Sequence, residues 1–175
     1  LLFRKIIMFS RFFVMICFSL FFHLSSVSAA VILQYHHVSD ITPKSTSITP
    51  SQFRVHLQYL KDHHFNVVPL PKIIEAIKNK QPIADKTVAI TFDDSYLDIF
   101  IHGTPLLEEF DFPYTIFINP DVTNLHSRRK SPKNFTWQQL KQLTKKGVTI
   151  ANHGLEHASL ARIKKGYTEQ QWVEE

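Results

Sequence analysis

The stretch Thr87-Val88-Ala89-Ile90-Thr91-Phe92-Asp93-Asp94 indicates which class of fold the chain adopts. Residues 87–92 are β-branched, small or aromatic and uncharged, which is the pattern of a strand covered on both faces. Two carboxylates follow where this run stops. A strand of this kind belongs in the middle of a parallel sheet, and the chemistry of parallel sheets lies at the carboxyl ends of their strands. The stretch therefore predicts a central strand that brings Asp93 and Asp94 to a functional site.

Predicted strands and helices alternate along the chain on both sides of this stretch. The strands are predicted at 31–35, 66–68, 87–92, 114–119 and 148–151. Capping boxes or prolines mark the starts of helices at Thr49-Pro50, Pro71, Thr104-Pro105 and Thr136, and a last helix is predicted near Thr168. Strict alternation indicates parallel strands with helices outside. We therefore expect an α/β fold, either a partial barrel or an open sheet, with about five parallel strands.

Three of the predicted helices have an apolar stripe that is expected to face the core. The expected core residues are Phe53, Leu57 and Leu60 in the first helix, Ile73, Ile74 and Ile77 in the second, and Leu140 and Leu143 in the fourth. The 146 residues after position 29 are enough for one compact domain but few for a complete α/β barrel.

The first 29 residues have the pattern of an export signal. Residues 4–11 include three basic side chains, 12–24 form an apolar stretch too short to span a bilayer comfortably, and 25–30 are small residues that suit a signal peptidase. We expect cleavage after Ala29, which leaves 30–175 as one domain in the periplasm, the cell envelope or the medium. The alternative is an uncleaved signal that anchors the chain to a membrane.

Removal of the signal leaves a chain that is close to neutral and has no cysteine. The formal net charge of +5 falls to +2 because the signal contains three basic residues and no acidic one. So small an excess does not favour nucleic acid as a partner. The basic run 127–133 is expected to be a solvated loop, or else a contact with an anionic polymer or membrane face. Cys17 lies inside the signal, so the exported protein would depend on its core instead of disulfides.

Polar side chains cluster at four predicted strand ends. Adjacent aspartates are often turn or helix caps, and two histidines four residues apart are often surface residues. Here, however, four clusters coincide at the carboxyl ends of parallel strands, which meet at one edge of a sheet. This coincidence favours a functional site. The clusters are His36 with His37, Asp93 with Asp94, Asn119 with Asp121, and Asn152 with His153, which His157 follows.

The residue types in these clusters suit a metal site with its own base. One carboxylate and two neutral imidazoles form a facial triad that holds a divalent metal and leaves positions for water and substrate. A second carboxylate beside the metal can take a proton from that water as general base. Adjacent aspartates in a turn point in different directions, so one can bind the metal while the other is the base.

Two motifs of the sequence resemble those of a known family. Thr91-Phe92-Asp93-Asp94-Ser95-Tyr96 resembles the first motif of the polysaccharide deacetylases, carbohydrate esterase family four, which is usually T-F-D-D-G-Y/F. His153-Gly154-Leu155-Glu156-His157 resembles their second motif, H-S/T-x-x-H. Tyr35-His36-His37-Val38 and Phe112-Pro113-Tyr114-Thr115-Ile116-Phe117 also match segments that members tend to have. The resemblance extends over nearly all of the chain after the predicted signal.

This resemblance implies a fold, a reaction and a set of roles. The fold would be a distorted (β/α) barrel, present here in part. Asp93 would be the catalytic base, and Asp94, His153 and His157 would hold a divalent metal, commonly Zn²⁺, with Co²⁺ or Ni²⁺ as substitutes. The reaction would remove acetyl groups from an N-acetylated polysaccharide, releasing acetate and leaving a free amine on the sugar.

Substrate contacts are expected from three further polar residues, His36, Tyr96 and Asn119. A role for His36 as proton donor is the alternative to a structural or substrate-lining role. The glycan itself is left open, because chitin, peptidoglycan and poly-N-acetylglucosamine all fit export and this chemistry. An acetyl ester on xylan also fits, since attack by water at a metal does not require an amide.

The sequence departs from the family pattern in three ways. Ser95 replaces a glycine, which predicts strain if the turn needs a positive φ, and Gly154 replaces the hydroxyl residue that normally braces the histidine loop. No counterpart of the third, fourth and fifth motifs precedes Glu175, so the chain is expected to be the N-terminal portion of such a domain. The alternatives are a catalytically silent metal- or carbohydrate-binding remnant and another metal hydrolase with a barrel fold.

Overall fold

The computed structural model describes residues 29–120 and 134–155, together with Gly166, Thr168 and Gln170. The first 28 residues of the predicted signal, the basic run 127–133 and most of the predicted last helix lie outside these ranges. Seven strands are described: β1 Val31–Tyr35, β2 His37–Val38, β3 Ser47–Ile48, β4 Asn66–Val67, β5 Thr87–Phe92, β6 Tyr114–Ile118 and β7 Thr149–Asn152.

Five of these strands form one parallel sheet, as predicted. Hydrogen bonding joins them in the order β1-β5-β6-β7, and β4 also pairs with β5. Every pairing in this sheet is parallel. Strands β2 and β3 were not predicted; they form a separate short parallel pair just after β1.

Within the described ranges, four helices and one π-helical turn connect the strands. They are α1 Pro50–Asp62, α2 Leu70–Lys78, the π-helical turn Ile99–Gly103, α3 Thr104–Phe110 and α4 Trp137–Lys145. The predicted capping boxes of α1 and α4 are both formed, with Thr49 and Thr136 each accepting a hydrogen bond from the main chain three residues on. No described helix has the length and apolar character that crossing a bilayer requires.

The start of α3 differs from the prediction. The π-helical turn runs directly into α3, so Thr104 is not a side-chain cap but the first residue of the helix. Its hydroxyl is 3.0 Å from the hydroxyl of Tyr114 inside the core. Burial of the Tyr114 ring raises its pKa to about 12, although the hydrogen bond with Thr104 acts in the opposite direction.

The larger core lies against one face of β5. Val88, Ile90 and Phe92 are buried there under helices α1, α3 and α4, whose apolar stripes include Phe53 and Leu107. The predicted stripes of α1 and α4 are confirmed, because each of their expected core residues is at most 5% exposed. The ring of Phe92 packs edge-on against that of Phe53, with centroids 5.8 Å apart.

A smaller core lies against the other face of β5. Leu70 and Ile73 of α2 pack there against Ala89. The prediction for α2 was wrong in part, because Ile74 and Ile77 are 42% and 63% exposed. This helix buries only a narrow stripe, since the residues of β5 that face it are small or polar and cover little of its surface.

Candidate active site

Each of the four adjacent strands β1, β5, β6 and β7 is followed by a polar residue at its carboxyl end. These residues are His36, Asp93, Asn119 and His153. Because the strands are parallel and in register, all four residues lie at one edge of the sheet. The fold thus gathers residues that are up to 117 positions apart in the sequence into one site.

Asp93 is held firmly on its strand end. Its main-chain nitrogen donates to the carbonyl of Tyr35 at 2.9 Å, which extends the pairing of β5 with β1 by one residue. Its side chain is only 6% exposed, and Gln34 Nε2 donates a hydrogen bond to Asp93 Oδ2. The same carboxylate oxygen is 4.0 Å from His36 Nε2 and 3.9 Å from His153 Nε2. The carboxylate therefore lies between two imidazoles.

Asp94 faces His153 from the other side of the turn. The distance from Asp94 Oδ1 to His153 Nε2 is 3.4 Å, and the side chains are 12% and 29% exposed. Burial raises the pKa of Tyr96, and the charge of Asp94 and a hydrogen bond to it raise it further. The hydroxyl of Tyr96 therefore interacts with Asp94.

The turn that presents the two carboxylates is in a left-handed conformation. Asp94 has φ 70° and Ser95 has φ 58°, although neither residue is glycine. Asn134 holds this turn, because its side-chain nitrogen donates to the carbonyl of Asp94 at 2.8 Å. Phe135 adds a main-chain hydrogen bond to the carbonyl of Ser95 at 2.9 Å. The condition under which Ser95 was predicted to be strained, a positive φ, is thus present, and contacts from distant residues stabilise this conformation.

A second buried amide holds the histidine loop. Asn119 is 1% exposed, and its side-chain nitrogen donates to the carbonyl of His153 at 2.7 Å and to that of Gly154 at 3.0 Å. His153 is also fixed by its main-chain nitrogen, which donates to Ile118 at 2.8 Å. Gly154 has φ 79°, a conformation that glycine adopts without strain. The asparagine thus braces a loop in which the family's usual hydroxyl residue is missing.

His37 belongs to a different set of contacts from His36. Its Nδ1 is 2.7 Å from Asp98 Oδ2, and Asp98 Oδ1 accepts a hydrogen bond from Val38 N at 2.9 Å. The ring of His37 stacks on that of Tyr96, with centroids 3.7 Å apart. These contacts tie strand β2 to the segment that follows the two aspartates.

An open cleft of about 360 Å³ lies over this edge of the sheet. Its polar lining includes Gln34, Asp93 and His153, and its apolar lining includes Leu70 and Phe117. A cleft with apolar walls and convergent polar groups is the usual form of a ligand site. Asp93 and His153 are therefore within reach of a molecule from solvent.

The structure brings together five of the seven side chains predicted for the site. Asp93, Asp94, His36 and His153 are joined by contacts of 4.0 Å or less, and Tyr96 interacts with Asp94. The amide of Asn119 is directed to the histidine loop. His157 lies outside the described residues, so its place as a ligand stays a prediction. The proposed substrate contacts of His36, Tyr96 and Asn119 also stay predictions.

Two of the predicted ligands fit a divalent cation. Two donors that each lie about 2.0 to 2.1 Å from a tetrahedral zinc ion are roughly 3.3 Å apart. Asp94 Oδ1 and His153 Nε2 are 3.4 Å apart, and carboxylate and imidazole are ligands that zinc accepts. Within the described ranges, no group of three His, Cys, Asp or Glu side chains is arranged to hold an ion. The described pair would therefore need a further ligand.

Sequence reasoning missed three residues of this site, namely Gln34, Asp98 and Asn134. Gln34 had one usable signal, since it is a polar residue inside the apolar strand 31–35. Asp98 lies four residues after Asp94 and has no distinctive spacing. Asn134 contacts a turn that is 40 residues earlier in the chain, a distance over which local patterns give no information.

Several known proteins have sequences similar to this chain. A sequence model described as polysaccharide deacetylase matches residues 80–175, which is more than half of the chain. YxkH of Bacillus subtilis (strain 168), provisionally named a polysaccharide deacetylase, is 29% identical over 142 residues, covering 80% of this chain and 46% of YxkH. The poly-beta-1,6-N-acetyl-D-glucosamine N-deacetylase of Escherichia coli (strain K12) is 28% identical over 85 residues, covering 47% of this chain and 13% of that protein.

A solved structure resembles the described fold. The Streptococcus pyogenes deacetylase PplD in complex with acetate matches with a TM-score of 0.66 and 26% identity, covering 77% of this chain and 60% of PplD. The predicted fold class, a partial α/β barrel of the polysaccharide deacetylase type, is confirmed. The chain spans less than half the length of each of the two curated relatives.

Proposed function

Because this chain belongs to the polysaccharide deacetylase family, we propose that its cleft removes acetyl groups from an N-acetylated glycan. The reaction adds water across the acetamide C–N bond, which releases acetate and leaves a free amine on the sugar. The observation that most supports this proposal is the convergence of Asp93, Asp94 and His153, with His153 Nε2 within 3.9 Å of both carboxylates. Amide hydrolysis needs groups that take and give protons, and carboxylates and imidazoles are such groups.

Asp94 and His153 would hold a divalent cation, together with the predicted ligand His157. Zn²⁺ fits these donors, and Co²⁺ or Ni²⁺ are possible substitutes. When bound, such a cation supplies Lewis-acid chemistry, polarising the acetamide carbonyl and lowering the pKa of water. The 3.4 Å separation of the Asp94 and His153 donor atoms supports their assignment as ligands.

Asp93 would accept the proton of the attacking water. Its side chain lines the cleft and is 6% exposed. It lies 3.9 Å from His153 Nε2, whereas Asp94 lies closer, at 3.4 Å. A base must be held within hydrogen-bond reach of the water from which it takes the proton. The main-chain bond to Tyr35 and the side-chain bond from Gln34 keep Asp93 in place for this role.

His36 would give a proton to the departing amine. Its Nε2 is 4.0 Å from Asp93, a residue that lines the cleft, and its side chain is 33% exposed to solvent. His153 is less suited to this role because it faces Asp94 as a candidate ligand. An amine is a poor leaving group unless it is protonated, so a second imidazole beside the base has a clear use.

A pair of substrates separates the roles of Asp93 and His36. We expect His36→Gln to lose about 10² to 10³-fold in acetate release from an N-acetylglucosamine oligomer. The same variant should keep most of its activity on p-nitrophenyl acetate, because nitrophenolate leaves without a proton. Asp93→Asn should lose activity on both. Equal losses for His36→Gln on the two substrates would contradict the role of proton donor.

The glycan is proposed to be a polymer of N-acetylglucosamine. The support comes from the name of the Escherichia coli relative, a poly-beta-1,6-N-acetyl-D-glucosamine N-deacetylase, which aligns with 47% of this chain. Acetate release should be compared on β-1,6-linked N-acetylglucosamine oligomers, chitooligosaccharides, peptidoglycan and acetylated xylan, with metal present and after chelation. Release from the β-1,6 oligomers that a chelator stops and Zn²⁺ restores is the expected result. Release from none of the four would refute the proposed function and favour a silent remnant.

Export of the protein before it acts is also part of the proposal. Its support is the pattern of residues 1–29, with three basic residues, an apolar stretch and a small-residue site. The amino-terminal sequence of protein recovered from the cell envelope or the medium tests this directly. We expect it to begin at Ala30. An intact amino terminus on protein that remains with the membrane would indicate the uncleaved anchor.

A further inference from the structure

We propose that Gln34 is a positioning residue for Asp93, whose carboxylate it fixes by a hydrogen bond. The role of Asp93 as base rests on the function proposed above, whereas the contact belongs to the structure. Gln34 Nε2 donates to Asp93 Oδ2, and the two residues are 59 positions apart in the sequence. Both side chains line the same cleft.

Strand pairing explains why a glutamine is suited to this position. Gln34 of β1 lies opposite Thr91 of β5 in the parallel ladder. Asp93 is therefore the next residue of β5 on the same face, a diagonal step that only a long side chain can span. Thr91, the direct neighbour, gives its hydroxyl to the carbonyl of Leu33 at 3.2 Å. Its hydroxyl is thus directed away from the carboxylate.

The carboxylate of Asp93 needs a donor because it is nearly buried. Only 6% of its side chain is exposed, and a buried carboxylate without donors is unfavourable. Within the described ranges, no Lys or Arg side chain forms an ion pair with it. The amide of Gln34 is a neutral donor, so it can orient the carboxylate without adding a charge to the site.

The position of this one bond fixes the whole carboxylate group. Asp93 Oδ2 receives the amide of Gln34 and is also 4.0 Å from His36 and 3.9 Å from His153. Anchoring Oδ2 sets the plane of the group and hence the direction in which Oδ1 points. A displacement of about 1 Å in a reacting group can lower a rate by about 10²-fold. Loss of the anchor should therefore reduce turnover without removing substrate binding.

Two isosteric variants and one matched control test this inference. Gln34→Met keeps the length of the side chain but has no donor, and Gln34→Glu keeps the shape but replaces the donor by an acceptor. The control is Gln58→Met, because Gln58 Nε2 donates to Asp62 Oδ1 at 2.7 Å on an exposed face of α1, away from the cleft. The same kind of hydrogen bond is thus removed in both places. Circular dichroism and bound-metal content establish that each variant is folded and loaded.

For both Gln34 variants we expect kcat to fall by about ten- to a hundredfold, with KM within about threefold and metal content unchanged. Gln58→Met should match the wild type in all three. A crystal structure of Gln34→Met should show the carboxylate of Asp93 rotated from its wild-type position. The inference is overturned if either variant keeps kcat within twofold of wild type, or if the carboxylate does not move. Should the wild type release no acetate, the proposed function fails, and the crystal structure alone decides whether Gln34 positions Asp93.

Discussion

One face of strand β5 lies against helices, and the other leads to an open cleft. Val88, Ile90 and Phe92 are each at most 2% exposed and pack into the large core. On the opposite face the small core reaches only as far as Ala89, and Thr91 and Asp93 line the cleft. Alternate residues of this one strand therefore differ in function: those on one face pack the core, and those on the other face line the cleft. Substitutions on the packed face should change stability, and those on the cleft face should change catalysis.

The largest change in stability is expected from Phe53→Ala, in helix α1, which covers the packed face of β5. Phe53 is fully buried, and its ring packs edge-on against Tyr35 and Phe92 at 5.0 and 5.8 Å. Removal of a buried aromatic ring should lower the free energy of unfolding by about 3 to 5 kcal/mol, measured by urea denaturation. Phe53→Leu should lose less because it leaves a smaller cavity. A hundredfold lower kcat in the Phe53→Ala molecules that remain folded would contradict the comparison, because the packed face would then affect catalysis as well as stability.

A smaller loss of stability, combined with a loss of activity, is expected from Asn134→Asp. The aspartate has the same shape but cannot donate to the carbonyl of Asp94, which now accepts at 2.8 Å. An unsatisfied buried group lowers the free energy of unfolding by about 1 to 3 kcal/mol. The left-handed turn at Asp94 and Ser95 should relax, so metal affinity should fall as well. Calorimetric titration with Zn²⁺ measures this, and unchanged affinity would show that the turn does not need the clamp.

A still smaller effect, confined to stability, is expected from Thr136→Ala. The hydroxyl of Thr136 accepts from Gln139 N at 3.2 Å at the start of α4, outside the cleft. Loss of such a cap lowers the free energy of unfolding by about 1 kcal/mol. Thr136→Ser keeps the hydroxyl and should behave as wild type. A change in kcat for Thr136→Ala would mean that α4 affects the site, contrary to the comparison.

The smallest effect is an increase in stability from Ser95→Gly. Ser95 has φ 58°, where a Cβ atom is unfavourable. Among the described residues, the one hydrogen bond of its hydroxyl is a long one of 3.4 Å, donated by Asn119 N. Glycine relieves this strain but raises the conformational entropy of the unfolded chain, which offsets part of the benefit, so we expect a gain of about 0.5 to 1 kcal/mol. Ser95→Ala keeps the Cβ atom and should give no gain. Thermal unfolding of the three proteins decides between these outcomes.

The sequence predicted what local patterns determine. The uncharged run 87–92 indicated a central strand, and hydroxyl residues followed by glutamine indicated the starts of α1 and α4; the structure confirms all three. The burial of Ile74 and Ile77 was predicted wrongly because the period of an apolar stripe does not tell how wide a surface will cover it. Whether a helix is fully covered depends on its tertiary neighbours.

The site could be predicted only where its residues are adjacent to a strand end or part of a motif. Asp93, Asp94 and His153 satisfy this condition, and the structure places them together. Gln34 and Asn134 reach the aspartates through contacts 59 and 40 residues apart in the sequence. Such contacts depend on strand register and on the path of a loop, and a single sequence specifies neither.

The most direct test of this account is acetate release by Asp93→Asn compared with the wild type, at equal bound metal. The substitution keeps the size of the side chain but removes the carboxylate that is proposed to take the proton from water. For Asp93→Asn we expect kcat to fall by about 10² to 10⁴-fold, with unchanged metal content and an unchanged midpoint of unfolding in urea. Turnover within tenfold of wild type, with the metal still bound, would contradict the assignment of the cleft face of β5 as the catalytic face.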